Sequence, residues 1–150
     1  MHDAAIAIGS NLGDPVKNVR KAIGALREAG ELSAVSRLYR TEPWGEPDQP
    51  QFINAVALIK TQLAPRPLLA ALQKIEQEMG RTTTYKWGPR VIDLDIVYYD
   101  DIIIDGPDLI LPHPHFRERS FVLVPLAEID ARYADEASKL GRVGLSVVVP

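Results

Sequence analysis

One segment, residues 91–99, has the clearest strand pattern in the chain and limits what the rest can fold into. Side chains alternate along a strand, so Asp93 and Asp95 share one face, about 7 Å apart, while the aliphatic residues beside them share the other. Two carboxylates on one face repel each other unless a cation lies between them or water solvates them. We therefore expect a sheet with one packed face and one face that carries acidic groups.

The ligand chemistry of Asp93 and Asp95 favours a hard divalent ion. Oxygen-only ligands suit Mg²⁺, which keeps several waters and binds through one or two carboxylates together with substrate phosphates. Solvation of a polar strand face is the alternative explanation for the pair. Zinc is disfavoured, because His113 and His115 lack a third nitrogen or sulfur ligand and the chain has no cysteine. The pair thus predicts a Mg²⁺ site that acts on a phosphorylated substrate.

The order of the predicted elements is β-α-β-β-α-β, followed by a C-terminal extension. Helices are expected between Asp14 and Gly30 and between Pro65 and Gly80, and strands at residues 4–8, 32–41, 52–61 and 91–99. This order predicts an α+β, ferredoxin-like fold in which both helices pack on one face of an antiparallel sheet. We expect the other face to be free for loops and ligand, and residues 1–150 to form a single domain.

Proline-containing segments separate these elements. Residues 42–50, 81–90 and 100–116 are predicted as loops, since proline disrupts helices and central strands. Residues 121–129 are apolar and fit either a helix or a strand. Residues 147–149 are expected to pair at a sheet edge.

The composition excludes several classes of protein. Without cysteine, the chain has no disulfide scaffold, thiolate zinc site or cysteine nucleophile. A formal net charge of −3 gives no general attraction to nucleic acid or anionic membranes. No apolar run approaches the roughly 18 residues that span a membrane, and the first residues lack a secretory pattern. We therefore expect a cytoplasmic protein without nucleic-acid or membrane partners. The composition does not determine the oligomeric state, for which our expectation is a monomer.

A polyanionic substrate would have to be held by side chains in this protein. The glycine-rich residues 9–13 match neither of the common phosphate-binding glycine patterns. Cations flank the Asp93 and Asp95 pair in sequence, and arginine offers a forked donor that suits phosphate oxygens. Each of these cations taken alone is more often a solvated surface residue. The candidates are Arg81, Lys86, Arg90, His113, Arg117 and Arg119.

Aromatic residues in or beside the predicted loops offer faces on which a flat ring can stack. They are Trp44, Phe52, Trp87, Phe116 and Phe121. Packing in the core is the alternative for Phe52 and Phe121. Asn54 lies two residues from Phe52, on the same strand face, where it could read the hydrogen-bonding edge of such a ring.

Several motifs, taken in order over residues 4–129, resemble the 6-hydroxymethyl-7,8-dihydropterin pyrophosphokinase family of folate biosynthesis. The most specific is Trp-Gly-Pro-Arg at residues 87–90 followed by Asp-Leu-Asp at 93–95. The others are Gly-Ser-Asn-Leu-Gly at 9–13, Tyr-Arg-Thr-Glu-Pro at 39–43, Gln-Pro-Gln-Phe-Ile-Asn-Ala at 49–55, and Leu-Pro-His at 111–113 with Arg119.

The resemblance implies a ferredoxin-like fold, ATP as co-substrate, two Mg²⁺ ions, and transfer of a pyrophosphoryl group to the pterin hydroxymethyl oxygen with release of AMP. It implies that the metal ligands are Asp93 and Asp95, and that catalytic residues are these two with Arg81 and Arg90. The implied ATP-binding residues are Leu69, Gln73, Glu76, Trp87, Ile96, His113 and Arg119. The implied pterin-binding residues are Thr41, Pro43, Trp44, Phe52, Asn54 and Phe121.

Two other functions remain open from the residues alone. A ferredoxin-like module that binds a small effector or RNA would be no enzyme, and its signature is a basic, aromatic sheet face. The aspartates on the clearest strand disfavour it. A different Mg²⁺-dependent nucleotidyl or phosphoryl transferase would use the same carboxylates and cations, and would differ in its products.

Overall fold

The computed structural model describes residues 1–41, 51–80, 90–142 and 144–149. The strands in these ranges are β1 (His2–Ser10), β2 (Glu31–Val35), β3 (Tyr39–Thr41), β4 (Phe52–Thr61), β5 (Asp93–Tyr99), β6 (Ile104–Asp105), β7 (Ile110–Leu111) and β8 (Leu145–Val147). The α-helices are α1 (Pro15–Ala25), α2 (Pro65–Glu78), α3 (Ser120–Ile129) and α4 (Ala134–Leu140). Short 3₁₀ turns follow α1 and precede α3 and α4.

An antiparallel sheet in the order β5-β1-β4-β3-β8 forms the centre of the fold, and β2 also pairs with β4. β1 lies between β4 and β5, and its residue Gly9 is opposite Asn54 on one side and Asp93 on the other. β8 pairs with β3 at the edge, as expected for the C-terminal segment, although it begins and ends earlier than residues 147–149. The sheet thus brings residues that are far apart in sequence to one end of β1.

Helices α1 and α2 pack on one face of the sheet, as predicted. Asp14 accepts a hydrogen bond from the Lys17 amide at 3.2 Å and caps α1, with Pro15 at its first position. α2 likewise begins at a proline and buries a stripe that includes Leu68, Leu72 and Ile75. These side chains join aliphatic residues of β1, β4 and β5 in one core cluster.

Helix α3 covers part of the opposite face, so the expectation that this face is free for loops and ligand is only partly correct. Val122, Leu123 and Leu126 of α3 pack against Ala5 and Val56 of the sheet in a second core cluster. The apolar sequence of residues 121–129 is therefore a helix whose residues from 122 to 126 are all buried. Such a helix is apolar all round, which is why periodicity did not distinguish it from a strand.

Two segments differ from the sequence predictions. The strand expected at residues 32–41 is divided into β2 and β3, because Ser36 bends the chain. Its amide donates to the Val56 carbonyl at 2.9 Å, and its hydroxyl accepts from the Val56 amide at 2.9 Å in place of a backbone carbonyl. The loop predicted at residues 100–116 contains the small antiparallel hairpin β6–β7. None of the helices in the described ranges is long and apolar enough to cross a membrane.

The turn before β2 gives a test of the packing. A Cβ atom on Gly30 would lie 2.6 Å from the Lys60 carbonyl oxygen, whereas one on Gly24 would meet nothing within 4 Å. We expect Gly30→Ala to lower the free energy of unfolding by about 1–3 kcal/mol through overpacking. Gly24→Ala, the control on the exposed side of α1, should raise it by about 0.5–1 kcal/mol. Urea unfolding measures both, and equal stability of the two variants would contradict the packing described.

Candidate functional site

A cavity of about 440 Å³ lies where β1, β4 and β5 meet α2 and α3. Most of the predicted site residues in the described ranges line it. They are Thr41, Phe52, Asn54, Leu69, Gln73, Glu76, Arg90, Asp93, Asp95, His113, Arg119 and Phe121. Five segments distant in sequence therefore converge on one space.

The remaining predicted residues lie elsewhere. Ile96 is buried in the core between the sheet and α1 and α2, and it is not part of the cavity lining. Its position follows from alternation, because its neighbour Asp95 points to the opposite face. Phe116 is buried in the second core cluster. Arg117 pairs with Glu136 at 3.0 Å and does not line the cavity. Five predicted residues lie outside the described ranges, namely Pro43, Trp44, Arg81, Lys86 and Trp87.

Asp93 and Asp95 both face the cavity from β5. They lie opposite Gly9 and Ala7 of β1, whose small side chains leave room beside the carboxylates. Arg90 approaches from one side, with its Nη1 atom 3.6 Å from Asp93 Oδ2. Acidic and basic groups therefore lie next to each other at the start of β5. This arrangement suits a ligand that carries both a cation and phosphate oxygens.

Glu76 of α2 supports the strand that carries the two aspartates. Its side chain is buried, and Oε2 accepts the Leu94 amide hydrogen at 2.8 Å. Because β5 is the edge strand, this amide has no strand partner on its outer side, and Glu76 supplies the acceptor. The sequence did not predict this role, since nothing local connects residue 76 to residue 94.

Asn11 fixes Arg90 through the backbone. The Asn11 amide donates to the Arg90 carbonyl at 3.0 Å, and the Arg90 amide donates to Asn11 Oδ1 at 2.7 Å. Asn11 is completely buried. The glycine-rich motif at residues 9–13 therefore fixes the backbone of Arg90. An asparagine directly after a buried strand was the available signal for this role.

The apolar end of the cavity lies between β4 and α3. Phe52 is the first residue of β4, and Phe121 lines the cavity from the first turn of α3. Asn54 Nδ2 donates to Thr41 Oγ1, which fixes the orientation of the amide. A Cβ atom on Gly9 would lie 2.9 Å from Asn54 Oδ1, so only glycine lets Asn54 pack this closely on β1.

His113 lies beside β5 on the segment that leads to α3. Its amide donates to the Val97 carbonyl at 2.8 Å, and its ring Nδ1 accepts the His115 amide hydrogen at 3.4 Å. Burial lowers the pKa of His113, and the nearby Arg119 and His115 lower it further, against an opposing effect of Asp93. The neutral ring therefore carries its hydrogen on Nε2, which makes that atom a donor.

Comparisons with known proteins bear out the resemblance drawn from the motifs. The family model described as 7,8-dihydro-6-hydroxymethylpterin-pyrophosphokinase (HPPK) matches residues 5–131. A protein named 2-amino-4-hydroxy-6-hydroxymethyldihydropteridine pyrophosphokinase from Pseudomonas aeruginosa is 46% identical over 134 residues, which are 87% of this chain and 83% of that protein. A protein of the same name from Bacillus subtilis is 46% identical over 137 residues, which are 90% and 82% of the two chains.

The fold has solved counterparts. A crystal structure of Plasmodium falciparum HPPK-DHPS matches with a TM-score of 0.76 and covers 92% of this chain, at 14% identity. This match shows the fold alone, and it confirms the predicted α+β arrangement. The chain spans 43% of the length of that protein.

The Glu76 contact predicts a stability effect. We expect Glu76→Ala to lower the free energy of unfolding by about 1–3 kcal/mol, because the buried Leu94 amide loses its acceptor. Glu76→Gln should lower the free energy of unfolding less, since the oxygen of the glutamine amide can accept the same hydrogen. Gln73→Ala, one turn earlier on an exposed site of α2, is the control and should leave stability nearly unchanged. Urea unfolding distinguishes the variants, and a Glu76→Ala protein as stable as the Gln73→Ala protein would contradict the role.

The His113 environment predicts a titration. We expect its NMR midpoint to lie below the ordinary pKa of 6.5. A lowered pKa in the folded state means that this group contributes stability above pH 6.5, which is lost as the pH falls towards the folded pKa. The chain has three histidines, so the ring signals can be assigned by single His→Gln substitutions. A midpoint at or above 6.5 would show that the ring is solvated.

Proposed function

Because the chain belongs to the 7,8-dihydro-6-hydroxymethylpterin-pyrophosphokinase family, we propose that it transfers the pyrophosphoryl group of ATP to the hydroxymethyl oxygen of 6-hydroxymethyl-7,8-dihydropterin. The products are the pterin diphosphate and AMP, in a step of folate biosynthesis. One observation carries the proposal: a single cavity combines Asp93 and Asp95 with Phe52 and Phe121. The first pair suits a metal–phosphate substrate, and the second suits a flat ring.

Mg²⁺ is the proposed metal, with Asp93 and Asp95 as its protein ligands. Two carboxylates on one strand face match the needs of an ion that completes its coordination with water and substrate phosphates. Among the described residues, no larger group of histidine and acidic side chains could hold a metal, so this pair is the ligand set the proposal uses. When bound, two such ions would neutralise charge on the phosphate oxygens.

The cations of the cavity are proposed to bind and stabilise the phosphates. Arg90 and Arg119 would donate to phosphate oxygens, and His113 would add a neutral Nε2 donor. Most of the rate acceleration would come from this positioning and charge stabilisation. Leu69, Gln73 and Glu76 of α2 would contact the nucleotide. Arg81 and Trp87, outside the described ranges, belong to the same proposal.

The pterin is proposed to lie between the rings of Phe52 and Phe121, where aromatic stacking is favourable. Thr41 and Asn54 would recognise its polar edge, since their mutual hydrogen bond fixes the amide orientation. Pro43 and Trp44 complete the proposed pterin set and lie outside the described ranges. A single-domain, monomeric and cytoplasmic protein is part of the same proposal.

The test is an assay with ATP, Mg²⁺ and 6-hydroxymethyl-7,8-dihydropterin, followed by identification of the nucleotide product. We expect AMP in equal amount to the pterin diphosphate. Asp93→Asn and Asp95→Asn should each lower kcat by about a thousandfold, equivalent to about 4 kcal/mol of transition-state stabilisation. Asp105→Asn, on the exposed strand β6, is the control and should be fully active. ADP or pyrophosphate as product would indicate another transferase, and no reaction would favour a binding module.

A further inference from the structure

A cluster of side chains outside the cavity joins α3 to the segment between β2 and β3. The carboxylate of Glu128 accepts hydrogen bonds from the Arg37 amide at 2.9 Å, from Arg37 Nε at 3.0 Å and from Arg37 Nη2 at 2.8 Å. It also accepts a hydrogen bond from the Tyr39 hydroxyl. One carboxylate therefore connects a helix to two residues of the opposite layer.

The carboxylate and the hydroxyl of this cluster lie in largely buried side chains. Tyr39 is completely buried and only 18% of the Glu128 side-chain surface is accessible, whereas 57% of the Arg37 side chain is exposed. Burial alone would raise the pKa of Glu128, but the hydrogen bonds from Arg37 and Tyr39 outweigh it and the pKa is lowered. The carboxylate is therefore charged at neutral pH, and its Oε2 atom accepts charge-assisted hydrogen bonds from both Arg37 Nε and Arg37 Nη2.

The two elements that this cluster joins, β3 and α3, both contribute residues to the cavity lining. On β3, Tyr39 is two residues from Thr41, which lines the cavity and donates to the Phe52 carbonyl at 3.3 Å. On α3, Glu128 is seven residues from Phe121, about 10 Å or two turns along the same side of the helix. Glu128 thus ties this end of the helix to the sheet layer, in addition to the packing of residues 122–126 on the sheet.

The backbone of α3 has one gap in its hydrogen bonding. Pro125 lies inside the helix and has no amide hydrogen, so the Phe121 carbonyl four residues earlier loses its helical partner. The amides of Val122 and Leu123 still donate to the Arg119 carbonyl, at 3.0 and 2.9 Å, and hold the first turn together. The distance between this turn and β4 is set by side-chain contacts between α3 and the sheet layer.

We infer that Glu128 is a positioning residue, which through Arg37 and Tyr39 fixes the place of α3 on the sheet and so the position of Phe121 in the cavity that it lines with Phe52. It does not touch the cavity, since it is absent from its lining. The inference rests on the proposed function, in which these two rings bind the pterin. The inference adds that the affinity for the pterin depends partly on the contact of Glu128 with Arg37 and Tyr39, two helical turns from Phe121.

The experiment measures pterin and ATP binding separately by calorimetry, without turnover. Glu128→Gln keeps the shape of the side chain but presents an amide to Arg37, and we expect it to weaken pterin binding by at least about tenfold. ATP binding should weaken less than pterin binding, since most of its proposed contacts lie along β5 and α2, and only Arg119, the N-cap of α3, moves with the helix. Tyr39→Phe, which keeps Arg37 and the buried ring, should show a smaller effect in the same direction and serves if Glu128→Gln fails to fold.

The control is Asp108→Asn, which removes a carboxylate paired with Arg66 of α2, on the sheet face opposite α3. It should leave both affinities unchanged. Unchanged pterin binding in folded Glu128→Gln and Tyr39→Phe proteins would overturn the inference while leaving the proposed function intact. Equal weakening of both ligands would also overturn it, because a general loss of order predicts that result. Failure of the parent protein to bind the pterin would instead overturn the proposed function.

Discussion

The register of β1 between β4 and β5 is the constraint on which the rest of the site depends. It places Gly9 opposite both Asn54 and Asp93, so one glycine separates the residue proposed for the pterin edge from the first proposed metal ligand. A slip of one residue in either pairing would move Asp93 and Asp95, or Phe52 and Asn54, to the face packed by α1 and α2. Burial of the aliphatic residues on that face therefore fixes which polar and aromatic side chains lie on the opposite, cavity face.

The edge position of β5 explains much of the remaining polar structure. An edge strand leaves backbone groups without strand partners, and in this protein other segments satisfy them. Glu76 accepts the Leu94 amide, and the Val97 carbonyl accepts the His113 amide. Both contacts bring cavity residues to the strand that carries the carboxylates. The hydrogen bonds that satisfy the outer backbone groups of β5 thus also hold Glu76 and His113 beside the two aspartates.

Local patterns predicted the elements that depend on nearby residues, and missed those that depend on distant ones. Alternation identified β5 and its two acidic side chains, and capping signals identified α1 and α2. The bend at Ser36 was missed because its partner, Val56, is twenty residues away. Asn11 was recognised only as part of the motif at residues 9–13, and Glu76 only as an ATP-binding residue implied by the resemblance. Their partners, Arg90 and Leu94, become neighbours only after folding.

The division of the cavity between layers has a physical consequence for how it can recognise two substrates. The carboxylates and Phe52 belong to the sheet, whose register is fixed by backbone hydrogen bonds, whereas Phe121 belongs to α3, which packs on the sheet through its side chains. Paired strands keep a fixed register, while a packed helix can shift slightly against a sheet. In the proposed function, both metal ligands therefore belong to the layer of fixed register, whereas the two rings proposed for the pterin come one from each layer. On the inference above, the contact of Glu128 with Arg37 would act on the position of Phe121 and leave Asp93 and Asp95 in place.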